Sequence, residues 1–382
     1  MPIRSISSIV RHIIITIIAF MVVGMFALVT INVSFLNPIA RTLQDFSMTD
    51  IYYQALQSTT KPDTSRVVTI VDMTELYERK RIAETIEQIH LCKPKVLGID
   101  IVFEGLKEDP QGDFMIEHLA KMYTNNVYSY RLLDYNGKQQ QFTNEVHSFF
   151  TDSVCVIEGY TNIYRPLYGG IKRKLSLSRK TCGQQKPSFV ATIVNHYAEK
   201  PVVTLDDDDL QINYSPIYFP RLKYDAIASH PELIEGRIVL LGAMGEENDM
   251  HYTPIGKMAG VELLAYATQT LLTHQEIKKV PLFLLTMISF FLVFLTQILQ
   301  DFYEKSIDNL KSSLLRSFLS SSAALGIITF LWMVLLMWGA FMLFSISNIS
   351  MNLGWALSAI AFVDASRSFY DICLESLKKQ LT

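Results

Sequence analysis

Cysteine is scarce, with four residues in a chain of 382, and neither sign of charge is in excess: 34 Lys and Arg against 37 Asp and Glu give a formal net charge of −3. That balance excludes a basic nucleic-acid binder and an acidic disordered tail. Also missing are a P-loop, a nucleophile elbow, an HExxH helix and a dinucleotide-binding glycine fingerprint, so the sequence offers none of the common catalytic signatures. What the chain has is apolar residue, 49% of the total, concentrated at its two ends. The middle carries most of the charge and nearly all of the proline.

Residues 13–36, "IIITIIAFMVVGMFALVTINVSFL", contain no ionisable group and exceed the roughly 20 residues that cross a bilayer. The run is too long for the apolar core of a cleaved signal peptide, so it reads as a retained anchor. Three further spans are expected at 280–299, 318–344 and 349–363, the last short and entered through Asn348, Ser350 and Asn352. A weak span of that kind inserts by packing on stronger neighbours.

Basic residues then orient the chain. Arg4 and Arg11 precede the first span, Lys305, Lys311 and Arg316 lie between the second and third, and Arg367, Lys378 and Lys379 follow the fourth. The expected organisation is a cytoplasmic N-terminus (1–12), a first span (13–36), an extracytoplasmic domain (37–278), a second span (280–299), a cytoplasmic loop (300–317), two more spans (318–344 and 349–363) and a cytoplasmic tail (364–382). Both termini are then cytoplasmic, in a multi-pass protein of a bacterial inner membrane. Cys92, Cys155 and Cys182 fall in the outer domain and Cys373 in the tail, so at most one disulfide forms; spacing does not decide whether it joins Cys155 to Cys182. Gln297, inside an apolar run, and Ser322 with Gly326, four apart, are suited to helix contact.

The middle alternates continuous apolar runs with helical periodicity. Residues 67–71, 96–102 and 238–241 read as strands; Ile82, Ala83, Ile86 and Ile89, then Phe114, Ile116, Leu119 and Met122, recur at helical spacing. Helices are also expected at 187–198, which has a Ser at its start, and at 261–272. This is the pattern of an α/β fold with a mostly parallel sheet flanked by helices. Shorter polar-flanked runs at 154–159, 172–177 and 202–205, with a turn at Gly169 and Gly170, fit antiparallel additions. The four aspartates at 206–209 lack the glycine and closing glutamate of a calcium loop and read as a solvated turn.

In such a sheet, ligands collect beyond the carboxyl ends of the strands. Asp72 ends the first strand, Asp100 interrupts the second, and Asp249, His251 and Thr253 follow the third. Neighbouring strands would bring Asp72, Asp100, Asp249 and His251 to one edge as a polar-ligand or metal site. Alternatively, Asp100 caps backbone donors of the next loop, and Asp249 and His251 hold the loop before Thr253 and Pro254.

Taken together, "VVTIVD" (67–72), Arg81 ahead of "IAETIEQI" (82–89), "KVLGIDIVFE" (95–104), Asp113, "PSFVATI" (187–193), "LQINY" (210–214), "GRIVLLGA" (236–243), "DMHYTPI" (249–255) and "GVELLA" (260–265) resemble the second type of CHASE domain. That is an extracytoplasmic sensory domain attached to bacterial cyclases and histidine kinases. The resemblance covers most of residues 45–275, and its members commonly carry one span before the domain and three after it. Two departures lie around the expected crevice: the family's Trp/Pro-rich entry is "YERK" (77–80), and its usual His and Asn near "GVELLA" are Leu264 and Tyr266.

The resemblance implies a membrane-anchored sensor, not an enzyme, with no catalytic residue, metal or cofactor. Its ligand would be an unidentified small molecule held by Asp72, Asp100, Asp249, His251 and Thr253. Family members continue into a cytoplasmic kinase or cyclase, whereas 364–382 allows one amphipathic helix. The expected partners are therefore the lipid bilayer, a separate membrane or cytoplasmic output protein, or a second copy of the chain, and no nucleic acid. Two other readings stand beside this one: a periplasmic metal-dependent enzyme using Asp72, Asp100, Asp249 and His251, and a structural subunit of an envelope complex.

Overall fold

A computed structural model describes residues 2–32, 48–163, 170–206 and 209–381. The chain forms two compact units, one of residues 49–277 and one of 1–48 with 278–382.

The first unit is a mixed α/β domain. Three mostly apolar runs become its central parallel strands, Val68–Asp72, Ile238–Gly242 and Val96–Ile99, and nearly every residue in them is buried. Burial on both faces is what a continuous apolar run requires. The nine-stranded sheet runs Arg221–Lys223, Val68–Asp72, Ile238–Gly242, Val96–Ile99, Asn126–Asn136, Gln141–Val146, Ser178–Thr181, Gln184–Pro187, and Ile157–Tyr160 also pairs with Asn126–Asn136. Pairing is parallel from the Arg221 edge to the Ile157 strand and becomes mixed beyond Asn126–Asn136.

Four helices cover the sheet: α3 (Arg79–Leu91) and α4 (Pro110–Met122) on one face, α5 (Phe189–Ala198) and α6 (Gly260–Leu272) on the other. Ile82, Ile86 and Ile89 of α3 and Ile116 and Leu119 of α4 pack on Val71, Leu97, Ile99, Val239 and Leu241. Each such burial contributes on the order of 2 kcal/mol. The helix starts follow local chemistry: Asp109 accepts from Gln111 N ahead of Pro110, and Ser188 accepts from Ala191 N. On the opposite face, a methyl on Gly98 would sit 2.6 Å from Ile193, so α5 lies tight against the sheet. A further helix, α2 (Met48–Thr59), is fastened to this unit by a buried Tyr53 and an Asp50–Arg173 ion pair.

Several sequence expectations need correction. Residues 202–205 form no strand, because Asn195 Oδ1 caps the N–H groups of Val202 and Val203 at 2.8 Å and holds them as a loop. The 154–159 run yields Ile157–Tyr160, which is parallel to its neighbour and not antiparallel. The 172–177 run yields Lys174–Ser176, which pairs with Asp209–Gln211 in a separate small sheet. Gly169 and residues 207–208 lie outside the described residues. All four cysteines are free thiols.

The second unit is helical: α1 (Pro2–Asn32), α7 (Leu282–Asp308), α8 (Ser313–Leu319), α9 (Ser322–Ser347), α10 (Gly354–Ala361) and α11 (Val363–Leu381). Among the described residues, three helices are long and apolar enough to cross a membrane, at Ser8–Leu28, Leu282–Asp308 and Ser322–Ser347. The fourth expected span, 349–363, is not a membrane-length helix. It opens with a two-residue strand, Ile349–Ser350, paired with Lys278–Lys279, and continues as the eight-residue α10, which stops at Phe362 before the amphipathic α11. Eight residues rise only about 12 Å.

Within this unit, Ala19 and Val23 pack on Val293, Ala359, Ile360 and Val363. A polar cluster lies beside them. The buried Gln297 donates to Thr16 Oγ1 at 2.6 Å and to the His12 carbonyl at 3.1 Å, Asp301 pairs with His12 and with Arg367, and Arg11 pairs with Asp371. Gln297 thus makes the helix contact its sequence context suggested, and its partner is α1. Gly326 has nothing within 4 Å of where a methyl would project.

Candidate functional site

The parallel strands place their carboxyl ends side by side. Gly242 pairs with Asp72 on one flank, and on the other Asp100 continues the ladder through its N–H to the Leu241 carbonyl at 2.9 Å. Gly242 is required there, since a methyl on it would meet Val261 at 2.9 Å and Asp100 Cβ at 3.5 Å. Sheet topology therefore brings Asp72 and Asp100 to one edge with a single strand between them.

Their surroundings differ. Asp72 Oδ1 accepts from Thr74 N at 2.9 Å, Thr74 Oγ1 at 2.5 Å and Met244 N at 3.2 Å, while Thr74 Oγ1 accepts from Met244 N and Gly245 N. The aspartate thus ties the loop after Val68–Asp72 to the loop after Ile238–Gly242. This joint floors a shallow cleft of about 230 Å³ with Glu75, Lys223 and Tyr224 on its walls.

Asp100 makes no side-chain hydrogen bond among the described residues, so it does not cap the next loop. The donors of that loop are satisfied elsewhere: Phe103 N by Ser148 Oγ at 3.1 Å, Glu104 N by the Val102 carbonyl, and Lys107 N by Asp113 Oδ2 at 2.8 Å. Burial raises the Asp100 carboxyl to about pKa 7, and the nearby charge of Asp249 adds to the rise. The group therefore exchanges its proton near neutral pH.

Asp249 receives the α6 N-terminus, its Oδ2 accepting from Gly260 N at 3.2 Å and its Oδ1 lying 3.5 Å from His251 Nε2. A carboxylate at a helix N-terminus is favoured by the unpaired N–H groups there. The carboxylate lies close over Gly260, where a methyl would fall 2.5 Å from Asp249 Oδ2 and would push the carboxylate off the helix N-terminus. Thr253 turns inward on its own hairpin, donating to the Gly256 carbonyl at 2.7 Å and accepting from Ile255 N at 3.4 Å. The five residues thus divide. Asp100, Asp249 and His251 form a cluster beside the α6 N-terminus, Asp72 belongs to the adjacent loop joint, and Thr253 shapes a turn. Among the described residues no group of three or more His, Cys, Asp and Glu side chains is arranged to hold a metal ion.

Sequence reasoning singled out Arg81, but the buried arginine is Arg79. Arg79 pairs with Asp113, donates to the Glu104 carbonyl at 3.0 Å and stacks 4.9 Å from the Phe149 ring, so it holds the loop that follows Asp100. Arg81 lies over the Tyr224 ring beside the cleft. The signal was in the helical period: Arg79, Ile82, Ala83, Ile86 and Ile89 share the buried face of α3, and Arg81 does not.

The profile of the CHASE2 domain matches residues 17–299, about three quarters of the chain. The chain belongs to the CHASE2 domain family. No curated protein and no solved structure matches it. CHASE2 domains are an extracytoplasmic sensory family, and with its apolar helices this chain is a membrane sensory protein. The match starts inside α1 and ends inside α7, so the two flanking membrane-length helices belong to the CHASE2 region along with the α/β domain.

Proposed function

We propose that the protein is a membrane-anchored sensor, and not an enzyme, whose CHASE2 domain faces outward and passes its state through its helices to a separate output protein. The observation that carries this reading is the family match, continuous from the first apolar helix through the domain into the second. The small ligand would act at the edge bearing Asp72, Asp100, Asp249, His251 and Thr253. There Asp100 has no hydrogen-bonding partner among the described residues, and a group left unsatisfied at a partly buried site is one that a ligand can complete.

The same reading places both termini in the cytoplasm. Arg11 in the N-terminal part of α1 pairs with Asp371 of α11, and Asp301 in the C-terminal part of α7 pairs with Arg367 of α11, whereas Lys278–Lys279 joins Ile349–Ser350 just before α7 starts. The chain then returns to the cytoplasmic side through residues 351–353 and α10 instead of as a fourth long apolar span, and α11 lies at the cytoplasmic end. The α11 helix leaves Phe369, Ile372 and Leu377 exposed, a surface suited to an output partner.

Cross-linking in native membranes followed by identification of what is joined to the full-length chain tests the relay. A signalling enzyme recovered in near-stoichiometric amount is the expected result. Recovery of the chain alone would remove the output partner from the proposal.

A further inference from the structure

The α/β unit is connected to the rest of the chain at two places: α2 on the entry side, and residues 273–277 on the exit side, after α6. These two connections are more than 200 residues apart in sequence, and one side chain joins them. Asn213 is buried, 7% exposed. Its Oδ1 accepts from Tyr53 Oη of α2 at 3.2 Å, and its Nδ2 donates to the carbonyl of Gln275 at 3.0 Å.

The amide is fixed in this orientation by its other neighbours. Oδ1 also accepts from Ser215 N at 3.0 Å and Ser215 Oγ at 2.6 Å, and the backbone N–H of Asn213 donates to Thr270 Oγ1 at 3.1 Å, on the last turn of α6. With Ser215 N able only to donate and the Gln275 carbonyl able only to accept, the oxygen and nitrogen cannot exchange places without losing both bonds. Tyr53 is equally constrained, 1% exposed, with its ring edge against Tyr214.

The geometry points to Asn213 as the residue that makes the two connections of the sensory domain move as one. The side-chain amide carries an acceptor and a donor on one short rigid planar group, and here the two ends of that group face the two connections. A change in the domain that shifts either α2 or the end of α6 is transmitted to the other through this amide, which acts beside the hydrogen bond between Gln57 of α2 and Tyr266 of α6. The remainder of the exit segment leads directly to α7: Lys278–Lys279 pairs with Ile349–Ser350 within the helical unit, and α7 starts at Leu282.

This inference rests on the sensor reading for its purpose, yet its test reads only the protein itself and needs neither ligand nor output partner. Two substitutions each remove one arm. Tyr53→Phe deletes the hydroxyl that reaches Asn213 Oδ1 and keeps the buried ring. Asn213→Asp keeps the acceptor for Tyr53 and replaces the donor to Gln275 by an oxygen. Amide hydrogen exchange on the full-length chain in detergent, read by mass spectrometry, follows peptides covering α2 and the exit segment. Peptides covering Val68–Asp72 and Ile238–Gly242 serve as the internal reference.

Each substitution is expected to speed exchange about fivefold in both connections, the effect of one lost hydrogen bond, while the reference strands stay unchanged. If each variant loosens only the connection whose own bond it removes, the amide is a local structural bond and the coupling is refuted. If the reference strands loosen as well, the domain as a whole has been destabilised and Asn213 has no separate role. Failure of the sensor reading would instead appear in the cross-linking experiment, with this coupling intact.

Discussion

Arg79 on α3 and Asp113 on α4 form an ion pair buried beneath the loop that follows Asp100. Both carboxylate oxygens are used, one by the guanidinium and the other by Lys107 N. Removing one partner leaves the other charge buried and unpaired, which costs about 3–5 kcal/mol. Asp113→Ala should therefore lower the melting temperature of the purified chain by about 10 °C. Arg81→Ala, at a position outside the buried face of α3, should change it by no more than a degree or two. Equal losses from the two variants would show that the buried pair has no special structural role.

Asp100 should shape the pH dependence of stability. Its pKa rises from 3.8 to about 7 on folding, so the folded protein holds this proton more tightly than the unfolded chain does. The associated stability is fully present below pH 4 and is lost as pH rises through 7. Asp100→Asn imitates the protonated form, so it should melt near the wild-type temperature at pH 4 and above it at pH 8. The gain is bounded at roughly 4 kcal/mol by the size of the shift. A lower melting temperature for the variant at pH 8 would mean that the negative charge is needed there, as it would be for a bound cation.

How far the sequence revealed this site depends on what kind of signal each residue carried. The strands at 68–72, 96–99 and 238–242 are legible because burial on both faces leaves a continuous apolar run, and Asp72 and Asp100 at the ends of the first two mark the edge. The long strand Asn126–Asn136 and its hairpin partner Gln141–Val146 escaped, although Asn136-Gly137 is a strong hairpin signal. Their residues are half exposed and mixed in character, which hides the period. For Asp100 the sequence leaves two readings open, a ligand-binding carboxylate and a cap on the next loop. Its isolation depends on Ser148, 45 residues from the Phe103 N–H it satisfies, and on Asp113, 6 residues from Lys107, and no pattern around Asp100 itself reports that.

Gly159 offers a sharp packing test. A methyl at this position would lie 2.5 Å from Phe189 Cα and 2.6 Å from its N, both backbone atoms at the start of α5 that cannot rotate aside. Gly159→Ala should cost 3 kcal/mol or more, roughly the upper range for overpacking. Gly137→Ala, with nothing within 4 Å, is the matched control and should be nearly neutral. A stable Gly159→Ala protein would show that α5 can shift away from the Ile157–Tyr160 strand.

The proposed return to the cytoplasmic side after Ile349–Ser350 can be followed with reporters. Alkaline phosphatase fused after Asn348 should be active, and the same enzyme fused after Thr382 should be inactive. Activity at both positions would leave three crossings and put the C-terminus outside. Disruption of the Arg367–Asp301 pair by Arg367→Ala should weaken the return and raise activity of the Thr382 fusion.

The strand order has a consequence for how the protein is made. Ile238–Gly242 lies between Val68–Asp72 and Val96–Ile99, which precede it by well over a hundred residues. As the chain emerges, its first two core strands have no permanent neighbour between them, and each exposes an apolar edge until residue 242 arrives. At roughly 5–20 residues per second that interval lasts on the order of ten seconds. An unpaired parallel edge held open for that time invites intermolecular pairing, so the nascent domain is open to mispairing until its own last core strand closes the gap.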